Sequence, residues 1–199
     1  MRKKTKGFTI LELIIALSLT VVVLGVVYTF FLVSSKTITK TQINSDLQLE
    51  LEAIQKGLLV YGTQAEKISG IEDIGGINLL NKSYSDFPND GKLGIKEVKF
   101  KIDSEQYAFI YEQSFNTLTL KKFTSEVSTT GIDIDSEFEK VLSKNIKNFE
   151  IRPLDYQINK PDGKLENATG LEISLILNKK KGYSDVTIPL SIIVKFRNK

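Results

Sequence analysis

Residues 1–35 read MRKKTKGFTILELIIALSLTVVVLGVVYTFFLVSS and divide into three parts. Residues 1–7 are basic and end in a glycine, and residues 8–11 are largely apolar and precede a single acid, Glu12. From Leu13 to Ser35 there are 23 residues without a charge, most of them Leu, Ile, Val or Phe. As an α-helix at ~1.5 Å per residue, this stretch extends for roughly 35 Å, enough to cross a hydrocarbon core of about 30 Å.

The basic cluster in front of this stretch predicts a cytoplasmic N-terminus and a single-pass protein whose C-terminal part faces outward. A secretory signal peptide fits poorly, because its apolar region would be about 7–15 residues long and would end at a small-residue cleavage site. A plain signal anchor remains an alternative, but it leaves Glu12 unexplained. An ionised side chain inside a membrane span costs roughly 2.5–3.5 kcal/mol, so such a residue is a candidate for function.

Residues 6–17, KGFTILELIIAL, resemble the signature of type IV prepilins, which pilins share with the pseudopilins of type II secretion. The resemblance covers about residues 6–33. It implies that a membrane-embedded prepilin peptidase cuts between Gly7 and Phe8, leaving the apolar segment on the mature protein. It also implies that the same enzyme methylates the new amine of Phe8.

The resemblance assigns Glu12 to assembly, as the acid that pairs with the N-terminal amine of a neighbouring subunit. A free α-amine is mostly cationic near neutrality, so it can offset the cost of burying the carboxylate. Buried ion pairs are better attested as devices that set register than as sources of net stability. The implied partners are other pilins through the N-terminal helix, the prepilin peptidase, the membrane assembly machinery, and lipid before assembly.

The helix is predicted to continue beyond the membrane, from about Thr9 to Val60. One apolar stripe recurs at spacings of three and four residues, which is the pattern of an amphipathic helix: Ile43, Leu47, Leu51, Ile54 and Leu58. We therefore expect residues 8–35 to form the transmembrane and assembly part and residues 36–60 the amphipathic part. Several glycines then predict an irregular connection over residues 61–95.

After residue 95 the apolar period changes to two, which is typical of strands. Val98, Phe100 and Ile102 begin a predicted three-stranded antiparallel meander that continues through about residue 121. Residues 137–147 predict a short helix, and strands are expected near 148–157, 170–178 and 184–197. A basic run, Lys179 to Lys181, followed by Gly182, is predicted to be a solvated hairpin tip between the last two strands.

The expected fold class is α+β, with a long N-terminal helix and an antiparallel β-sheet head, residues 96–199, packed on its C-terminal half. This layout is similar to that of type IV pilins. The closing residues 194–198, VKFRN, resemble the ends of minor pilins of the W type and of pseudopilin J.

Composition argues against catalysis. The chain of 199 residues has no His and no Cys, which excludes Ser-His-Asp and Cys-His sites as well as imidazole or thiolate metal ligands. We expect no enzyme activity and no cofactor. Carboxylates are the only candidate ligands: Asp133, Asp135 and Glu137 alternate in a way that could present oxygens to Ca²⁺, and Asp86, Asn89 and Asp90 form a second group. Neither group has the EF-hand spacing.

The overall charge of +3 is misleading. Loss of Arg2, Lys3, Lys4 and Lys6 leaves 23 basic residues against 24 acidic ones, a net charge of −1 for the processed chain. Net charge therefore gives no argument for nucleic-acid binding.

Three functions are compatible with these features. The leading hypothesis is a structural subunit, a minor pilin of a type IV pilus or of a pseudopilus, which ends on the cell surface. A competence pseudopilin whose head helps to capture DNA is the second, and it requires a basic face on the head. A plain signal-anchored surface protein is the third.

Overall fold

One continuous helix, α1 (Ile10–Gln64), dominates the computed structural model, which describes residues 8–124, 138–156 and 163–197. Its 55 residues extend for about 82 Å at 1.5 Å per residue. The helix contains no proline and continues through Gly25. It ends about one turn beyond the predicted Val60, where Ala65 takes an extended conformation.

The outer half of α1 packs through the predicted stripe. Ile43, Leu47, Ile54 and Leu58 are buried, and Leu51 is partly buried against the same core. All buried apolar side chains among the described residues lie between Ile43 and Phe196. The core of the head therefore does not use the apolar first half of the helix.

Eight antiparallel strands form the head. They are β1 (Lys67–Asp73), β2 (Leu93–Ile102), β3 (Glu105–Glu112), β4 (Thr117–Thr124), β5 (Phe138–Ser143), β6 (Ile146–Pro153), β7 (Gly170–Lys181) and β8 (Ser184–Lys195). The strand order is β5-β4-β3-β2-β6-β7-β8, and β1 also pairs with β2. The α+β layout, the β2-β3-β4 meander and the last three predicted strands are thus confirmed.

The short helix predicted at 137–147 is wrong. The described part of that segment, from Phe138, contains β5, which pairs with β4, and the start of β6. The turn between the two strands is held by α1, because the Glu50 carboxylate accepts hydrogen bonds from Ser143 Oγ at 2.6 Å and from Asn145 Nδ2 at 2.8 Å. A short apolar run fits either period, and here the long-range pairing decides.

The predicted irregular connection over 61–95 also needs correction, because it contains β1 and a 3₁₀ turn at Tyr84–Asp86. Gly70 suggested a loop, but it lies at a register shift in the β1–β2 ladder. Glycine within a strand commonly marks such a bulge. Gly76, with φ of +80°, belongs to the turn after β1.

Strand β8 runs along α1 in the same direction as the helix. At one end Ser184 contacts the main chain of Lys36, and at the other Val194 contacts Gly62. The distance between the two contacts is similar on both elements. The 26 residues from Lys36 to Gly62 span about 39 Å of helix, and the ten from Ser184 to Val194 span about 34 Å of strand. The β7–β8 turn therefore lies beside the start of the amphipathic part of α1, and the end of β8 lies beside the C-terminus of α1.

Gly62 lies at a close approach between α1 and β8. A Cβ atom at this position would overlap Val194 Cγ1 and lie 3.1 Å from Cγ2. At Gly57, by contrast, a Cβ atom would lie 3.4 Å from Phe109, which is ordinary contact. Since overpacking typically costs about 1–3 kcal/mol, we expect Gly62→Ala to lower the free energy of unfolding by that amount.

Gly57→Ala is the matched control on the same helix. It should be neutral or should stabilise by up to about 1 kcal/mol, because alanine is the better helix former. Urea unfolding of residues 36–199 carrying each substitution would measure both changes. Equal stability of the two variants would contradict the close packing of α1 against β8.

Candidate functional site

The predicted processing junction lies at the exposed end of α1. Gly7 is outside the described residues, whereas Phe8 is described and its side chain is 86% exposed. Thr9 has an extended backbone, with φ −76° and ψ 151°, and α1 begins at the next residue. Within the described chain, nothing from the head covers Phe8, because the core begins only at Ile43.

Glu12 takes part in a capping box with Thr9. The Thr9 backbone N–H donates to Glu12 Oε2 at 2.9 Å, and the Thr9 hydroxyl donates to the same oxygen at 2.9 Å. In return, the Glu12 backbone N–H donates to Thr9 Oγ1 at 3.4 Å. The carboxylate thus satisfies a main-chain donor at the start of the helix and places negative charge at its positive end.

Sequence reasoning assigned Glu12 only to a neighbouring subunit and missed the role of Thr9. The signal was available, since Thr9 and Glu12 have the Thr-x-x-Glu spacing of a capping box directly before an apolar run. The structure therefore gives Glu12 a partner within its own chain.

The first half of α1 exposes a long apolar surface. Its large side chains are at least 41% exposed, and they include Leu13, Leu17, Val21, Leu24, Val27, Phe30, Phe31 and Leu32. Three hydroxyl groups in this segment are satisfied inside the helix: Ser18, Thr20 and Thr29 donate to the carbonyls of Ile15, Ala16 and Gly25 at 2.8–2.9 Å. Internal satisfaction of polar groups is what a hydrocarbon environment requires.

Length and composition make α1 a candidate membrane span. None of its most apolar window is buried inside the protein, unlike the core helix of a soluble domain. The apolar surface is far larger than monomeric soluble proteins usually expose. A surface of this size must be shielded from water, which a bilayer or neighbouring helices can do.

The carboxylates proposed as cation ligands divide into two cases. Asp133, Asp135 and Glu137 lie outside the described residues. In the second group, Asp86 ends a 3₁₀ turn and Asp90 Oδ1 accepts a hydrogen bond from the Lys92 backbone at 3.1 Å. Over residues 8–124, 138–156 and 163–197, no cluster of three or more acidic side chains is arranged to hold a metal ion.

The basic run lies where the sequence predicted it, at the β7–β8 hairpin. Lys181 pairs with Ser184, and the two intervening residues, Gly182 and Tyr183, form the turn. Gly182 has φ of +58°, as the tight turn of a two-residue hairpin requires.

Comparison with known proteins gives a match at the N-terminus of the chain. Residues 2–28 match the family model of the prokaryotic N-terminal methylation motif. No curated protein matches the chain. The matched motif, the exposed apolar half of α1 and the antiparallel sheet on its outer half together support a type IV pilin-like precursor.

Proposed function

We propose that the chain is a minor pilin, a structural subunit of a type IV pilus or of a related pseudopilus. It enters the membrane as a prepilin, is cut after Gly7, is methylated at Phe8, and joins other subunits through α1. The observation that carries this proposal is the apolar half of α1, which extends beyond the head with none of its most apolar window buried. Lipid covers it before assembly, and the helices of other subunits cover it afterwards.

Glu12 changes partner in this scheme. In the isolated chain its carboxylate is held by Thr9 at 2.9 Å. In the assembled fibre the methylated amine of a neighbour's Phe8 takes up the carboxylate in an apolar setting. A buried charge is strongly penalised unless it is paired, so only one axial position of the neighbour is acceptable. Glu12 thereby sets the register between subunits.

The narrower assignment to the W type or pseudopilin J rests on the sequence of the closing residues, 194–198. Val194 and Phe196 are buried, and the Arg197 backbone N–H donates to the Ala65 carbonyl at 3.1 Å. The closing segment therefore packs against the C-terminus of α1 and is hydrogen-bonded to it. This is the segment whose sequence resembles those subfamilies.

Processing provides the direct test. We expect protein purified from its native membrane to begin at a methylated Phe8, which intact-mass spectrometry would show. Gly7→Leu should leave the full-length chain in the membrane, because the family's peptidase accepts only small residues before the cut. Gly7→Ala is the matched control and should still be processed. Wild-type protein that keeps Met1 in the presence of the peptidase would favour a plain signal anchor instead.

A further inference from the structure

The turn of the β7–β8 hairpin touches α1 at the point where its apolar stretch ends. Lys36 is the first charged residue after the uncharged run Leu13–Ser35. Its carbonyl accepts a hydrogen bond from Ser184 Oγ at 3.5 Å, and its ammonium lies 5.7 Å from the centre of the Tyr183 ring. If residues 13–35 span the bilayer, as the proposed function requires, this turn lies at the level of the lipid headgroups.

Positive charge is concentrated at this turn. Five lysines lie at or near it: Lys36 contacts the turn, Lys40 follows one helical turn later on α1, and Lys179, Lys180 and Lys181 lead into the turn from β7. Lys179 binds Asp46 at 2.9 Å, and within the described residues none of the other four is in an ion pair. The nearest acid on β8, Asp185, lies opposite Lys180 in the β7–β8 ladder, forms no ion pair with it, and accepts a hydrogen bond from Asn178 at 2.7 Å. These cations contrast with the net charge of −1 for the processed chain.

Tyr183 occupies the apex of the turn, where its side chain is 95% exposed. An aromatic ring that is fully exposed to water contributes little to stability. At the boundary between hydrocarbon and water the same ring is favourable, because its body is apolar and its hydroxyl group stays hydrated. Exposed Lys180 and Lys181 stand beside it, and lysine stems can lie along the same boundary with their charges in the headgroup layer.

We propose that this basic tip, formed by Lys36, Lys40 and residues 180–183, binds the anionic headgroups of the bilayer that holds α1. The tip then acts as a second contact between the head and the membrane, which fixes the tilt and rotation of the head before assembly. Extraction of the subunit into a fibre must break this contact. The inference rests on membrane insertion of α1 and on no other part of the proposed function.

The chain has no tryptophan, so Tyr183→Trp introduces a single fluorescent reporter that remains aromatic. We would reconstitute the full-length variant in phosphatidylcholine vesicles with and without about one-third phosphatidylglycerol. A spin-labelled headgroup lipid then reports contact, and acrylamide, an uncharged aqueous quencher, reports exposure. With phosphatidylglycerol present, we expect the spin label to quench the reporter and acrylamide not to, and salt should reverse both effects.

Two double variants measure the contribution of the lysines to lipid binding. A lysine near an anionic surface contributes about fivefold to binding, so Lys180→Gln with Lys181→Gln should lower the ratio of bound to free tip roughly 25-fold. Lys67→Gln with Lys195→Gln removes the same charge from exposed residues at the far end of α1 and should change nothing. A reporter at Phe115, an exposed turn near the level of Glu50, should remain accessible to acrylamide in both lipids.

Vesicle flotation separates the failure of this inference from that of the proposed function. A chain that floats but whose Trp reporter at position 183 is equally accessible to acrylamide in both lipids would overturn the inference alone. A chain that does not float would overturn both. A third outcome would also overturn the inference and would assign the tip to nucleic acid. In that outcome, the protein binds duplex DNA, the double Lys180 and Lys181 variant does not, and the reporter at position 183 shows no dependence on lipid charge.

Discussion

Glu12→Leu should abolish incorporation into fibres while leaving cleavage, membrane insertion and folding of the head intact. The substitution removes a cost of roughly 2.5–3.5 kcal/mol for placing a charge in the bilayer, so insertion of α1 should become easier. What it also removes is the partner of the neighbour's amine, which would then be buried without a counter-charge. We expect the variant in the membrane fraction and absent from sheared fibres or from the complex of minor pilins that initiates them. Immunoblotting of the two fractions measures this distribution.

Glu12→Gln distinguishes the charge from the cap. Glutamine retains the capping box with Thr9, because its side-chain oxygen can accept the same hydrogen bonds, but it carries no charge. If the carboxylate sets the register, both variants should fail to assemble. Normal assembly of Glu12→Gln together with failure of Glu12→Leu would assign the residue to the start of the helix alone. Normal assembly of both would contradict any role in register and would favour a plain anchor.

Ile54→Asp should destabilise the head by about 4–5 kcal/mol, a change as large as those that severe core defects cause. Ile54 lies on the packed face of α1 and is fully buried. The substitution loses the packing of the isoleucine and places an unpaired carboxylate among apolar side chains. Chemical denaturation of residues 36–199, which contain every buried apolar residue described, would give the change in free energy.

This measurement first requires that residues 36–199 fold cooperatively without the apolar first half of α1, which we expect. Leu49→Asp is the matched control, since Leu49 lies on the same helix and is 65% exposed. It should change the stability by no more than about 0.5 kcal/mol. A molten product from the wild-type segment would mean that residues before 36 contribute to the core. Equal effects of the two substitutions would contradict the placement of the stripe under the sheet.

Local patterns were sufficient to predict the candidate membrane span, the long helix and much of the sheet. A run of 23 uncharged residues, a stripe at spacings of three and four, and strict alternation from Val98 to Ile102 each depend on neighbours in the chain. Such patterns specify a period directly. The motif around Gly7 and Phe8 is equally local, and so is the Thr9–Glu12 capping box, although only the structure drew attention to it.

Tertiary contacts decided the rest. Residues 138–143 form an edge strand because β4 pairs with them, and the adjoining turn is held by Glu50, some 93 residues earlier in the chain. Likewise, a lysine run that looked like an ordinary solvated turn lies beside Lys36, where the apolar stretch of α1 ends. That position follows from the alignment of β8 with α1, which Gly62 and Val194 set at one end and Lys36 and Ser184 at the other. Alignment between segments so far apart in the chain depends on packing shape, and no local period encodes it.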